Sequence, residues 1–89
     1  MNKYTFKLFL TGKSARSEGA VKTIKQILKD ESGLEFKLDI IDVLESPDIA
    51  EQNKVLATPT LIKLLPPPVK RLVGDLNDKE KVKQYLDIQ

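Results

Sequence analysis

The sequence of 89 residues predicts a single α/β domain over residues 1–89 with the element order βαβαββα. Three observations carry this prediction. Residues 4–43 read as a strand, a helix and a second strand, a unit whose two strands run parallel. Two later apolar runs flank three consecutive prolines, a pattern typical of a hairpin with a stiff turn. A helix-capping sequence then opens a last helix near residue 80.

The first strand and the first helix have clear apolar patterns. Residues 4–10 alternate with one interruption, Phe9, so both faces are partly apolar and the strand is expected to lie inside the sheet. Ser14 or Ser17 is expected to cap the following helix, and residues 32–33, a Ser-Gly pair, to end it. The apolar helix positions recur at helical spacing; they are Ala20, Val21, Ile24, Ile27 and Leu28.

The second strand is predicted over residues 35–43. Its alternation indicates one inward and one outward face. Phe36, Leu38 and Ile40 are expected to point inward, and Lys37 and Asp39 outward.

The second half of the chain has shorter patterns. Serine and proline at 46–47 are a good cap and first-turn pair for a short helix through Asn53. Residues 60–65 and 69–73 are predicted strands on either side of the three prolines. Asn77 to Glu80 has the form of a capping box. It opens a helix whose apolar positions are Val82, Tyr85 and Leu86.

Composition excludes several classes of protein. The 15 basic and 13 acidic residues leave a net charge of +2, too balanced for a dedicated nucleic-acid binder. No apolar run approaches the ~20 residues that span a membrane, and no signal-peptide pattern opens the chain, so we expect a cytoplasmic protein without a membrane partner. Because the sequence has no cysteine and no histidine, we expect no disulfide, no transition-metal site and no cofactor.

The segment Ala57-Thr58-Pro59-Thr60 resembles the proline turn of thioredoxin-like proteins, which implies a thioredoxin-like fold. Redox members of that fold carry a Cys-x-x-Cys pair where this chain reads Ser14-Ala15-Arg16-Ser17. A serine hydroxyl cannot cycle through a disulfide. No base–nucleophile pair accompanies Asp42 or Asp75 either. We therefore expect a binding protein without catalytic residues, and a redox enzyme is the least favoured function.

Three blocks together resemble the KaiB family of circadian clock proteins: residues 56–61, residues 65–71 and Gly74-Asp75-Leu76. The resemblance extends upstream and covers nearly the whole chain. It implies a non-enzymatic regulator that docks on the N-terminal ATPase ring of the KaiC hexamer. It also implies a second, tetrameric fold with a different C-terminal half, so that KaiC would select a binding-competent thioredoxin-like form.

The KaiB resemblance assigns roles to particular residues. The expected partner contacts are Lys54, Lys63, Lys70 and Arg71, although the last three would otherwise be interpreted as a solvated basic strip on a hairpin. The expected turn or switch positions are Pro59, Pro66, Pro67, Pro68, Gly74, Asp75 and Tyr85. Pro59 is expected to be cis in the thioredoxin-like form. Relatives often have glycine in place of Tyr85, and tyrosine favours helix over residues 79–88 and hence that form.

The remaining partner predictions also come from the resemblance. Asp39 lies where cyanobacterial relatives tend to carry a basic residue, which weighs against capture of KaiA. Self-association as a tetramer or dimer is implied. Two alternatives keep the fold and change the partners: a stress-response adaptor, and the sensor-type domain of a clock-linked histidine kinase.

Overall fold

Seven elements follow one another in the predicted βαβαββα order in the structure, a computed structural model that describes residues 3–30, 35–74 and 76–86. They are β1 (Lys3–Leu10), α1 (Ala15–Asp30), β2 (Glu35–Asp42), α2 (Pro47–Gln52), β3 (Thr60–Leu65), β4 (Lys70–Val73) and α3 (Lys79–Leu86). The expected helix end at residues 32–33 and the predicted role of Asp75 lie outside the described residues. No helix within the described part of the chain is long and apolar enough to cross a membrane.

The four strands form one sheet in the order β2-β1-β3-β4. Strand β1 pairs in parallel with β2 and antiparallel with β3, and β3 continues into β4 as an antiparallel hairpin. Helices α1 and α3 cover one face of this sheet, and α2 covers the other. The predicted internal position of β1 is confirmed.

The two faces of β1 enter two separate apolar clusters. Phe6, Leu8 and Leu10 belong to the larger cluster, together with buried side chains of α1, β3, β4 and α3. Phe9 points the other way, into a smaller cluster with Ala50 of α2 and Ile62 of β3. The apolar interruption in the alternation of β1 is therefore a second core contact.

Strand β2 is only partly covered on its inward face. Phe36 and Ile40 align with Tyr4 and Leu8 and so point to the α1 face, as predicted, yet they are 39% and 44% exposed. Only Leu38 packs against the larger cluster. The predicted inward direction is therefore confirmed for all three, but Phe36 and Ile40 are only partly covered, because β2 is the edge strand of the sheet.

Helix capping follows the sequence in one case and departs from it in two. The Ser14 hydroxyl accepts a hydrogen bond from the Ser17 N–H at 3.1 Å, so Ser14 caps α1. Ser46 precedes α2 but makes no side-chain capping bond. At α3 the cap is Asp78, whose carboxylate accepts a backbone N–H of the first turn at 3.2 Å. The predicted capping box thus began one residue too early, at Asn77.

Candidate partner-binding site at the proline end of the sheet

Asp42 joins the two loops that leave the carboxyl ends of β1 and β2. Its Oδ1 accepts hydrogen bonds from the Gly12 N–H at 3.1 Å and from the Leu44 N–H at 2.9 Å. Gly12 has a φ of +61°, a conformation that glycine adopts without steric cost. One carboxylate oxygen therefore holds two loops in register, which is a structural role for Asp42.

The proline turn is attached to the first of these loops. The Thr58–Pro59 peptide bond is cis, as predicted. The Thr58 hydroxyl lies 2.5 Å from that of Thr11, and the Thr60 hydroxyl donates to the Ala57 carbonyl at 2.5 Å. In the segment Ser14-Ala15-Arg16-Ser17 the Ser14 hydroxyl donates a hydrogen bond to the Ser17 hydroxyl at 3.2 Å.

Gly74 connects the proline turn to the end of β4. Its N–H donates to the Pro59 carbonyl at 3.1 Å, and its φ is +112°. Nothing lies within 4 Å of the place where a Cβ would stand, so the backbone conformation, and not lack of space, is what requires glycine there. The predicted turn role of Gly74 thus has a specific geometric basis.

Lys54 occupies an unusual position after α2. Its φ is +55°, its N–H donates to the Glu51 carbonyl at 3.0 Å, and the Val55 N–H donates to the Ala50 carbonyl at 2.9 Å. These two bonds define a Schellman motif, in which the residue at the left-handed position is usually glycine. The apolar contact typical of the motif is also present, because Val55 packs against the cluster that contains Ala50.

Arg71 holds this motif from the neighbouring hairpin. Its guanidinium donates to the carbonyl of Asn53 and, at 3.3 Å, to that of Lys54. The side chain reaches back from β4 across the α2 face of the sheet, where Arg71 aligns with Ile62. Arg71 thus fixes the backbone that carries the exposed side chain of Lys54.

The other two predicted basic contacts lie elsewhere. Lys63 is 4% exposed, and its ammonium donates to the Pro66 carbonyl at 2.8 Å. It aligns with Lys70, which is half-buried, on the α1 face of the sheet. A single solvated strip of Lys63, Lys70 and Arg71 is therefore a wrong prediction. In this fold Lys63 instead supports the turn of residues 66–68 from inside.

The remaining predicted turn positions are distributed over the hairpin and α3. The Leu65–Pro66 and Pro67–Pro68 bonds are cis, and together the three prolines carry the chain from β3 to β4. Tyr85 lies on the exposed side of α3. Neither set adjoins Lys54, so these positions lie apart from the end of the sheet that carries the cis-Pro59 turn.

Two exposed leucines lie in the loops at this end of the sheet, one of them two residues after Lys54. Leu56 is 97% exposed, and Leu44, which lies within contact distance of Gly12, is 68% exposed. Thr11, Leu56 and Thr58 line one shallow depression. We use the name cis-proline rim for five residues at this end of the sheet: Thr11, Leu44, Lys54, Leu56 and Thr58. Neither leucine was predicted as a site residue. Each is an apolar residue between two predicted elements, which is the signal that could have identified it.

The comparisons with known proteins bear on this geometry. The family model described as the KaiB domain matches residues 7–88 of this chain. The chain belongs to the KaiB family. A circadian clock oscillator protein KaiB from Rippkaea orientalis is 51% identical over 85 residues, which are 96% of this chain and 82% of that protein. The circadian clock protein KaiB3 from Synechocystis is 47% identical over 88 residues, 99% of this chain and 86% of that one.

Solved structures place the KaiB-family chain in the thioredoxin-like fold. The N-terminal domain of Synechococcus elongatus SasA superimposes with a TM-score of 0.77 at 28% identity, covering 100% of this chain and 88% of that one. The thioredoxin Deadhead of Drosophila melanogaster superimposes with a TM-score of 0.75 at 20% identity, covering 97% and 80%. The predicted thioredoxin-like fold class is therefore confirmed.

Proposed function

We propose that this KaiB-family chain is a non-enzymatic clock regulator that binds the ATPase ring of KaiC through the cis-proline rim. The family membership supports a role in a circadian clock system. The observation that carries the choice of surface is Lys54, a long charged side chain at a left-handed backbone position, beside the fully exposed Leu56.

The left-handed backbone conformation of Lys54 has a cost in free energy. A non-glycine residue at positive φ is less stable by about 1–2 kcal/mol than in an ordinary conformation. Such positions persist when the surrounding structure holds them, and they cluster at functional sites. Arg71 and the Schellman bonds supply that support here. Lys54 and Leu56 together offer a partner a positive charge and an exposed apolar side chain.

We propose further that the thioredoxin-like form described here is the state that binds KaiC, in exchange with the family's second fold. When only a fraction of the chain is binding-competent, the apparent dissociation constant rises in inverse proportion to that fraction. Compared with glycine, Tyr85 stabilises the helical form of α3 by somewhat less than about 1 kcal/mol. This enlarges the fraction of the chain that is competent to bind KaiC.

The remaining parts of the proposal concern other partners and location. Asp39 on β2 aligns with Lys7 of β1, and its negative charge weakens capture of KaiA. We expect self-association as a dimer or tetramer in the second fold, and a cytoplasmic location. Light scattering coupled to size-exclusion chromatography measures the assembly directly.

KaiC binding is tested with charge and apolarity variants of the rim. Lys54→Glu and Leu56→Asp are compared with the wild-type chain by biolayer interferometry against immobilised KaiC hexamer in ATP. Lys79→Glu, an exposed lysine at the start of α3, is the matched control. We expect each rim variant to weaken binding at least tenfold and the control to bind as the wild type. Equal affinity for the wild type and all three variants, or no binding by the wild type in any nucleotide state, would contradict the proposal.

The likeness to the SasA N-terminal domain favours one second candidate, a sensor-type domain of the same fold. Identity to that domain is 28%, against 51% to a KaiB protein, so the KaiB function is preferred. The two differ in conformational behaviour, because a sensor-type domain needs only one fold. A backbone NMR spectrum of residues 44–86 that shows a second, slowly exchanging set of signals would favour the KaiB function.

A further inference from the structure

We propose that the groove between α1 and β2 binds an acidic amphipathic helix of a partner protein. The groove has a volume of about 460 Å³ and lies on the α1 face of the sheet, whereas α2 lies on the opposite face. This site is separate from the proposed KaiC contact and does not depend on it.

The floor of the groove is apolar. Phe36, Leu38 and Ile40 alternate along β2 and all point to the α1 face, where α1 leaves them partly uncovered. Four residue steps along a strand give this strip a length of roughly 13 Å. An edge strand with exposed apolar side chains on one face leaves room for one more element beside α1.

The rim of the groove on the α1 side is basic. Lys22, Lys25 and Lys29 recur at helical spacing along the exposed side of α1, over about 10 Å of helix axis. No acidic side chain of residues 3–30, 35–74 or 76–86 forms an ion pair with any of them. A neighbouring depression of about 340 Å³ extends the groove past Lys22 to Lys13, and among the described residues that line it Glu18 is the acidic one. The surface is therefore apolar below and positive along one side.

The combination identifies the chemistry of the occupant. An apolar floor of this length matches two to three turns of a helix with apolar side chains at i, i+3, i+4 and i+7. Aspartate and glutamate on the flank of that helix would meet the lysines of α1. A helix laid beside α1 would also cover the half-exposed Phe36 and Ile40 and complete the layer of helices on this face of the sheet.

The experiment uses a fluorescein-labelled, amidated 14-residue helical peptide with leucine at the apolar positions and glutamate on both flanks. A second peptide with lysine in place of every glutamate is the charge control. Anisotropy measures binding to the full chain, and ¹⁵N chemical-shift mapping locates it. The protein variants are the double substitution K25E/K29E and, as a control of equal charge change on α3, K79E/K81E. Unfolding midpoints show whether each variant is folded.

We expect the acidic peptide to bind with its shifts on residues 22–29 and 36–40, and the basic peptide to bind at least tenfold more weakly. K25E/K29E should lose at least tenfold in affinity and K79E/K81E less than twofold. Absence of binding, shifts outside the groove, or equal loss in the two double variants would overturn the proposal. Binding of the chain to anionic phosphatidylglycerol vesicles without binding of the acidic peptide would also overturn it and assign the lysines to a lipid surface.

Discussion

Replacement of Lys54 by glycine should stabilise the fold while weakening KaiC binding. Lysine at φ +55° is less stable by about 1–2 kcal/mol than in a right-handed conformation, and glycine removes that penalty. Glycine also loses more backbone entropy on folding, about 0.5–1 kcal/mol. The difference leaves a net gain of about 0.5–1 kcal/mol for Lys54→Gly, since the two Schellman bonds are made by backbone groups and remain.

The assay is urea unfolding followed by circular dichroism, with Lys54→Ala as the control. Alanine removes the same charge and keeps the left-handed penalty, so its free energy of unfolding should stay within about 0.5 kcal/mol of the wild type. Both variants should lose affinity for KaiC to a similar degree. If Lys54→Gly is no more stable than Lys54→Ala, the left-handed position carries no penalty and the reasoning from it to function is refuted.

Three further predictions test the supports of the cis-proline rim. Arg71→Ala should speed hydrogen exchange at the Val55 amide about fivefold through loss of about 1 kcal/mol of local stability; unchanged protection would show that the guanidinium does not hold the motif. Gly74→Ala should lower the free energy of unfolding by about 1–3 kcal/mol despite the open space around it, as measured by urea unfolding, and a neutral effect would contradict the conformational argument. Asp42→Ala should lower the free energy of unfolding by about 1–3 kcal/mol in the same assay, because two backbone donors lose their acceptor. Asp42→Asn should retain most of the stability. Equal losses in the two variants would contradict the inference that one side-chain oxygen holds both loops.

The sequence was sufficient for the order and type of the elements and for the central strand. The apolar interruption at Phe9 indicated a strand covered on both faces, and the structure places it in a second core. The cis-Pro59 turn was predicted from the resemblance of residues 57–60 to thioredoxin-like proteins. These features depend on nearest neighbours and on side-chain periodicity, which a single sequence records directly.

The features that could not be predicted depend on how the helices and turns are placed over the strands. Alternation along β2 indicates the face of Phe36 and Ile40, but their burial depends on how far α1 extends across the sheet. Lys63 shows the same dependence. Its spacing is that of an exposed strand position, and only the turn of residues 66–68 supplies the carbonyl, that of Pro66, which accepts a hydrogen bond from its ammonium. The Schellman motif at Lys54 was hidden because the sequence lacks the glycine that normally marks it.

The most direct test of KaiC binding through the cis-proline rim is hydrogen–deuterium exchange of the chain alone and in complex with KaiC hexamer. We expect new protection to be concentrated in residues 42–58, where Leu44, Lys54 and Leu56 lie, and residues 22–29 of α1 to exchange as in the free chain. Protection confined to α1, α3 or the hairpin turn, with residues 42–58 unchanged, would contradict the proposed function.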